Sequence, residues 1–314
     1  MRIIASARQL PQNLPKPIVA IGTFDGVHLA HAAIIRRVVR EARRRRGTSV
    51  IISFDPHPQH VLRPGHVPRL LTRVDERLEL FRALGVQIVW LVRFTKAFAR
   101  LSPEAFFARL LVRALHARVI VVGASFGFGR GRQGNLQLLQ TLGRRAGIAV
   151  QRVPDVLHAG EPINSSRIRA AVAEGRFAEA RQLLGRPVTL RGRVVHGASR
   201  GAMLGFPTAN LAYDHVILPP TGVYAVRVRV GHRRRHGVAN VGHRPTFEQT
   251  AAITVEAHLL RFRGRLYGRT VTLEWLAKLR DEQTFADRDA LRRQIVVDIA
   301  AARRLLRRTN SPAT

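Results

Sequence analysis

Two histidines three residues apart, His28 and His31, close a segment that opens Gly22-Thr23-Phe24-Asp25-Gly26-Val27. Side chains at that spacing leave the same side of a first helical turn. Glycines let a backbone approach a phosphate, and a helix start offers free N–H groups to an anion. Paired imidazoles there can hydrogen-bond nucleotide phosphates as charge builds on a departing pyrophosphate, which is electrostatic stabilisation without a covalent intermediate. A plain turn with two surface histidines fits the same residues, and a metal reading lacks a nearby third ligand. Two other segments share the chemistry. Gly123-Ala124-Ser125-Phe126-Gly127-Phe128-Gly129 continues into Arg130 and Arg132. Asn164-Ser165-Ser166-Arg167-Ile168-Arg169 enters a predicted helix, where serine can cap the helix or, with the arginines, hold a phosphate.

A different set lies further on. Gly197-Ala198-Ser199-Arg200-Gly201-Ala202-Met203-Leu204-Gly205-Phe206 precedes Pro207-Thr208-Ala209-Asn210. The Gly/Arg loop can close over phosphates with its N–H groups and Arg200. Thr208 and Asn210 are two apart, so on an extended segment they face one side, and their oxygens suit Mg²⁺ held by ATP phosphates. In Val255-Glu256-Ala257-His258, Glu256 and His258 share a strand face. Glu256 reads either as a structural ion pair or as a general base for an attacking hydroxyl.

These groups need two kinds of scaffold. Up to about residue 185, apolar runs alternate with helix-period stretches: strands at 18–21, 49–54, 86–92, 119–122 and 148–153, and helices at 32–46, 75–84, 103–116 and 135–146, then near 166–174 and 177–184. Strands separated by helices predict a parallel sheet covered on both faces, so the first histidine segment falls at a strand's carboxyl end, where ligands bind. From Arg186 the pattern changes to strands at 188–195, 222–230, 237–240, 253–260 and 270–275 with Gly, Pro and Asn between them. That predicts a small antiparallel barrel or sandwich, followed by an amphipathic helix over 287–306. The fold expected is α/β: a doubly wound parallel-sheet domain over 1–185 and a small antiparallel β-barrel with a terminal helix over 186–314.

Composition narrows the class. The chain has 314 residues with 46% hydrophobic content, enough for two cored domains. It has no cysteine, which excludes disulfides and thiolate metal sites and fits a reducing cytoplasm. No signal peptide and no membrane-length apolar run stand out, so a cytoplasmic protein without membrane partners is expected. The net charge is +33, almost all from Arg, since Lys occurs only at 16, 96 and 278. The positive runs at 36–46, 144–145, 233–235 and 303–308 carry no interleaved aromatics of the kind that single-strand binders stack on bases. This weighs against a nucleic-acid partner and for an arginine-biased composition that attracts polyanionic substrates.

Together these segments resemble the bifunctional bacterial riboflavin kinase/FAD synthetases. The H-x-G-H motif of that family's nucleotidyltransferase domain stands here as His28-Leu29-Ala30-His31, its Phe-Asp-Pro-His-Pro stretch as Phe54–Pro58, and its third motif as Asn164–Arg169. In the second half, Gly205–Asn210, Gly222-Val223-Tyr224-Ala225, Arg244-Pro245-Thr246-Phe247, Leu266-Tyr267-Gly268 and Leu279–Phe285 match the riboflavin kinase signature in order. The resemblance spans about residues 15–306. It implies phosphorylation of riboflavin to FMN and adenylylation of FMN to FAD, with ATP and Mg²⁺. It implies an adenylyltransferase ATP site of Gly22, Phe24, Asp25, Gly26, His28, His31, Ser125, Ser165, Ser166 and Arg167, with the Phe126/Phe128 loop near adenine and flavin. It implies a kinase site of Gly201, Gly205, Pro207, Thr208, Asn210 and Arg280, with Thr208 and Asn210 on Mg²⁺ and ATP, Glu256 as base, and Leu279–Phe285 beside the flavin. Ala30, Ser125 and Asn164 depart from the family's Gly, Asp/Asn and Ser, and Arg261 stands where an acid is frequent. The first three motivate a second reading, a kinase whose N-terminal domain has lost its reaction. Oligomeric state is left open.

Overall fold

The computed structural model describes residues 1–197, 200–243 and 253–309. The chain divides into two compact units, Met1–Ser165 and Ser166–Thr314.

The first unit is built on six strands: β1 Arg2–Ile4, β2 Ile18–Ile21, β3 Ser49–Asp55, β4 Ile88–Arg93, β5 Val119–Gly123 and β6 Ala149–Val153. Their order is β1-β4-β3-β2-β5-β6, and every neighbouring pair is parallel. The central strand β2 is short, wholly apolar and buried on both faces, as a parallel strand under helices must be, and β3 beside it is buried over all but its last residue. Alternate residues enter different cores. Val19, Ile21, Val50 and Ile52 pack with Phe106, Leu110 and Leu139, whereas Ile18, Ala20 and Ile51 pack with Ile35, Val38 and Val39 of the helix Leu29–Arg44 and with Phe81. From β2 the chain winds out through β3 to β4 and then returns to β5, so the loops after β2 and β5 flank the topological switch point. The helix expected over 103–116 begins as one turn, Pro103–Phe106, and widens over Phe107–Ala114, where the Leu115 N–H reaches back to the Leu110 carbonyl at 3.2 Å. A small hairpin, β7 Leu157–His158 with β8 Glu161–Pro162, precedes the unit's end.

The second unit is a closed antiparallel barrel: β9 Thr189–Val195, β10 Ala209–Ala212, β11 Gly222–Val230, β12 Arg233–His243, β13 Ile253–Leu259 and β14 Thr270–Arg280, in the order β10-β13-β12-β11-β14-β9. Closure decides between the two arrangements the pattern allowed. The strand expected at 237–240 is the middle of an 11-residue β12, and β14 runs on to Arg280. The helix Arg288–Thr309 follows. The helices Ser165–Ala173 and Phe177–Leu184, placed before the expected 185/186 division, fall almost entirely in this unit. The reason is aromatic: Phe177 stacks on Trp275 at 6.2 Å and meets Tyr224 edge-on at 5.8 Å. Tyr224 is wholly buried and donates to the Pro220 carbonyl at 2.5 Å. Burial, and after it Asp281, pushes its hydroxyl up to about 12. No helix among the described residues is long and apolar enough to cross a membrane.

Candidate active sites

In the first unit the Gly22–Val27 turn leaves β2 and delivers His28 as the cap of the helix Leu29–Arg44, its Nδ1 accepting from the His31 N–H at 3.4 Å. The two imidazoles are stacked, with centroids 3.6 Å apart and planes 20° from parallel. His28 is buried, and the buried Nδ1 of His31 has no hydrogen-bond partner among the described residues. Burial, then the His28 charge, then the Arg77 charge hold His31 well below the ordinary histidine range, so it is neutral at pH 7.

The turn is conformationally costly. Phe24 at φ 51° and Val27 at φ 37° occupy the left-handed region alongside Gly26 at φ 82°. Long-range ties hold it. The Asp25 carboxylate, 1% exposed, accepts from the Leu71 and Thr72 N–H groups at 3.0 and 3.1 Å. The Gly26 N–H donates to Thr72 Oγ1 at 2.9 Å. Arg77, also buried, donates to the Thr23 carbonyl at 2.7 Å and to the Phe54 carbonyl at 3.0 Å, joining the turn to the end of β3. Burial lowers the Arg77 guanidinium, while the Asp25 and Asp55 carboxylates raise it. Ser165 Oγ donates to the Asp25 carbonyl at 3.0 Å, which brings the third motif to the first. Asp25 therefore acts through the turn's shape, since its carboxylate is engaged by 71–72. Phe24 is likewise core, packed edge-on against His31 at 5.2 Å and Phe81 at 5.7 Å, and a Cβ at Gly22 would meet its ring at 3.2 Å. Thr72 and Arg77 were not expected from the sequence.

The other adenylyltransferase candidates divide. β5 lies beside β2, so Ser125 sits in the neighbouring loop; it is exposed, and its carbonyl accepts from Arg132 at 2.8 Å. Phe128 is buried against Phe106, with Phe126 stacked on it at 5.5 Å, so Phe128 is a core residue. Ser166 is exposed, and the Arg167 Nε donates to Glu179 at 3.2 Å.

The second unit holds a cavity of about 470 Å³. One cross-strand row supplies much of its wall: Asn210 of β10 lies opposite Glu256 of β13, Glu256 opposite Asn240 of β12, Asn240 opposite Val223 of β11, and Val223 opposite Arg280 of β14, and all five line it. Strand alternation turns Thr254, Glu256 and His258 outward to the cavity, while Val255, Ala257 and Leu259 fill the barrel. Leu291, Ile295 and Ile299 of the last helix, one and two turns apart, form the facing apolar wall with Phe206 and Phe285. Thr208 Oγ1 donates to Glu256 Oε2 at 3.1 Å, and His258 Nδ1 lies 2.9 Å from the Pro207 carbonyl, to which it donates as the Nδ1–H tautomer.

Glycines make room for this row. A Cβ at Gly201 would meet the Phe206 carbonyl at 2.5 Å, and one at Gly197 would overlap the Asn210 amide. Gly205, at φ 85°, turns the chain into Phe206-Pro207. The Arg280 guanidinium lines the cavity but is held by Asp298 at 2.9–3.1 Å, so it anchors the last helix; its Nη1 bonds the Asp281 carbonyl at 2.9 Å. Arg200 begins the single helical turn Arg200–Met203, whereas Ala198, Ser199 and Arg244–Phe247 lie outside the described residues.

Family comparison matches both halves: a FAD synthetase model covers residues 10–167 and a riboflavin kinase model covers 184–306. The chain belongs to the bifunctional riboflavin kinase/FMN adenylyltransferase family. Curated relatives of that description include one from Escherichia coli (strain K12), 38% identical over 96% of each chain, and one from Bacillus subtilis (strain 168), 34% identical over 92% of each. A solved structure described as a macrolide-efflux protein from Streptococcus pneumoniae has a TM-score of 0.85 and 32% identity, covering 96% of this chain and 98% of that one. Its description belongs to that protein; the fold is shared. As a bifunctional riboflavin kinase/FMN adenylyltransferase, the chain uses ATP twice, with FMN the product of one reaction and the substrate of the other. The match over 10–167 favours two activities over a kinase alone.

Proposed function

We propose that Glu256 is the general base of the riboflavin kinase reaction and that the cavity beside it receives the flavin. The flat apolar ring system would lie between the barrel wall and Leu291, Ile295 and Ile299, with its ribityl 5′-hydroxyl toward Glu256. Glu256 would take the hydroxyl proton as the oxygen attacks the γ-phosphate of ATP in line. Thr208 and Asn210 offer two hard oxygens next to that carboxylate, a donor set that suits Mg²⁺ completed by phosphate oxygens. Bound there, the ion would offset charge on the phosphates. The observation carrying this reading is the Thr208–Glu256 bond, set in the Asn210–Glu256–Asn240 row on a cavity of this size.

In the first unit, His28, His31 and the start of their helix would hold the ATP phosphates while the FMN phosphate attacks the α-phosphate and pyrophosphate leaves. A neutral His31 keeps an N–H to donate without the repulsion that a charged pair of stacked rings would carry. Ser165, whose hydroxyl is tied to the Asp25 carbonyl, would add a donor. Product analysis tests both halves. Riboflavin with ATP and Mg²⁺ should give FMN and then FAD, and FMN with ATP should give FAD. Undiminished FMN formation by Glu256→Gln would remove the base assignment, and absence of FAD from FMN would leave the kinase alone.

A further inference from the structure

The loop that follows β5 carries a cation to which neither reaction has yet given a task. Between Gly123 and Asn135 the sequence has two arginines, Arg130 and Arg132, and no acid. The loop is fixed at several points. A Cβ at Gly123 would meet Ile34 Cδ1 at 3.1 Å, so the chain leaves β5 against the histidine-bearing helix, one turn past His31. Phe128 and Gly134 exchange backbone hydrogen bonds at 2.9 Å each, and the Arg130 N–H donates to the Leu101 carbonyl at 2.7 Å.

Within this frame the backbone bends to bring Arg132 back over the loop. Gly129 at φ 72°, Gly131 at φ 59° and Arg132 at φ 59° all lie in the left-handed region, which an arginine occupies only at a cost. The Arg132 guanidinium lies across Gly127, where a Cβ would meet Nε and Nη2 at 3.1 Å. Its Nη2 donates to the Ser125 carbonyl at 2.8 Å. Arg132 is exposed, and among the described residues its guanidinium has no carboxylate partner. A neutral carbonyl thus holds the fork in place and leaves its charge uncompensated. An arginine on a solvated helix face is not held in this way.

The geometry of the transfer narrows which anion could meet it. His28, His31 and their helix start, as proposed for this unit, hold the ATP phosphates on the side where pyrophosphate leaves. In-line displacement puts the attacking oxygen opposite the leaving group, so the FMN phosphate cannot share those donors. It reaches the α-phosphate from the far side, as one anion approaching another. β5 pairs with β2, so its loop is the other strand end flanking the switch point.

We propose that Arg132 binds the 5′-phosphate of FMN and so selects phosphorylated flavin over riboflavin for adenylylation. The assignment rests on the adenylyl-transfer reading of His28 and His31. A guanidinium fork matches two phosphate oxygens, whereas riboflavin ends there in an uncharged hydroxyl. The site would take the product of the kinase half and pass over its substrate.

Steady-state kinetics of FAD formation from FMN and ATP test this on the full chain. Arg132→Gln removes the charge and keeps an unbranched stem at φ 59°. It should raise the KM for FMN about 10- to 100-fold, the range for losing a hydrogen bond to a charged group. The KM for ATP should stay within about twofold, because only binding of the other substrate is lost. Arg132→Lys, charged but without the fork, should fall between Gln and the parent. Lumiflavin, the ring system without the ribityl chain, has no hydroxyl for the kinase half to phosphorylate and competes with FMN through its ring alone. Its inhibition constant should be the same for the parent and Arg132→Gln, a result that a collapsed loop would not give. Arg130→Gln removes the neighbouring charge and should keep the parent KM for FMN.

If the parent chain makes no FAD from FMN, the reading beneath this assignment fails and the assignment with it. With FAD formed, an unchanged KM for FMN in Arg132→Gln removes the role of Arg132 alone. Parallel weakening of lumiflavin, an equal loss in Arg130→Gln, or a rise confined to the KM for ATP would each overturn it as well.

Discussion

The two phosphate-handling sites solve the same positioning problem by opposite means. In the parallel-sheet unit the histidines of the proposed site stand on a loop and helix start beyond the strand ends, so the sheet does not hold them directly. Separate ties do: Asp25 to Leu71 and Thr72, Gly26 to Thr72, Arg77 to Thr23, and Ser165 to Asp25. In the barrel the side chains of the proposed site belong to the strands, and the ladder that builds the fold also sets Asn210, Glu256 and Asn240 side by side. A loop-borne site therefore depends on a few long-range bonds, whereas a ladder-borne site depends on register. The first arrangement should fail through residues that never touch substrate, and the second mainly through the groups that do.

The largest effect should come from the ladder-borne carboxylate. Glu256→Gln keeps shape and register and removes the proposed base, so riboflavin phosphorylation should fall about 10²- to 10⁴-fold with FMN adenylylation unchanged, measured by separating FMN from FAD. On the loop-borne side, His31→Ala should lower FAD formation from FMN by about 10²- to 10³-fold and spare the kinase, the typical cost of losing one donor to developing charge. The ties come next. Thr72→Val removes the hydroxyl that receives the Gly26 N–H, and Arg77→Met releases the Thr23 and Phe54 carbonyls; each should cost adenylyl transfer on the order of 1–3 kcal/mol. The kinase rate of the same chain serves as the fold control. If Thr72→Val and Arg77→Met leave FAD formation at the parent rate, the contrast between the sites is wrong.

The smallest effect is on stability against pH. His31 has a folded-state pKa below its unfolded value. As pH falls through about 6.5 the unfolded chain takes up a proton that the folded chain does not, so stability drops from there down to the lowered folded value. Above pH 6.5 the term vanishes. His31→Asn should flatten the acid side of a plot of urea midpoint against pH, and an unchanged slope would mean that the ring is not kept neutral.

Much of this was legible because local pattern and tertiary role agree. The apolar runs at 18–21 and 119–122 can only be buried parallel strands once helical stretches separate them, and their loops then flank the switch point. Thr208, Asn210 and Glu256 could be grouped by type, and the structure brings Thr208 and Glu256 within hydrogen-bond reach. What escaped depends on distant partners. Arg77 acts on the carbonyl of a residue 54 positions earlier, and a backbone acceptor leaves no side-chain signature. β10 is four residues hidden behind Pro207, and β1 is a three-residue strand at the sheet edge. The chemistry of Asp25 and Arg280 suggests ligand contacts, yet the structure engages each with protein groups, Asp25 with backbone amides and Arg280 with Asp298. Charge type predicts an interaction and does not say with whom.

The stacking of Phe177 on Trp275 and Tyr224 has a practical corollary for anyone dissecting the molecule. Severing the polypeptide at the Gly185 turn would strip the kinase half of a structural cover, leaving aromatic faces bare and the fragment prone to clump. A fragment beginning near Ser166 would keep that cover, and one beginning at Gly185 would lack it.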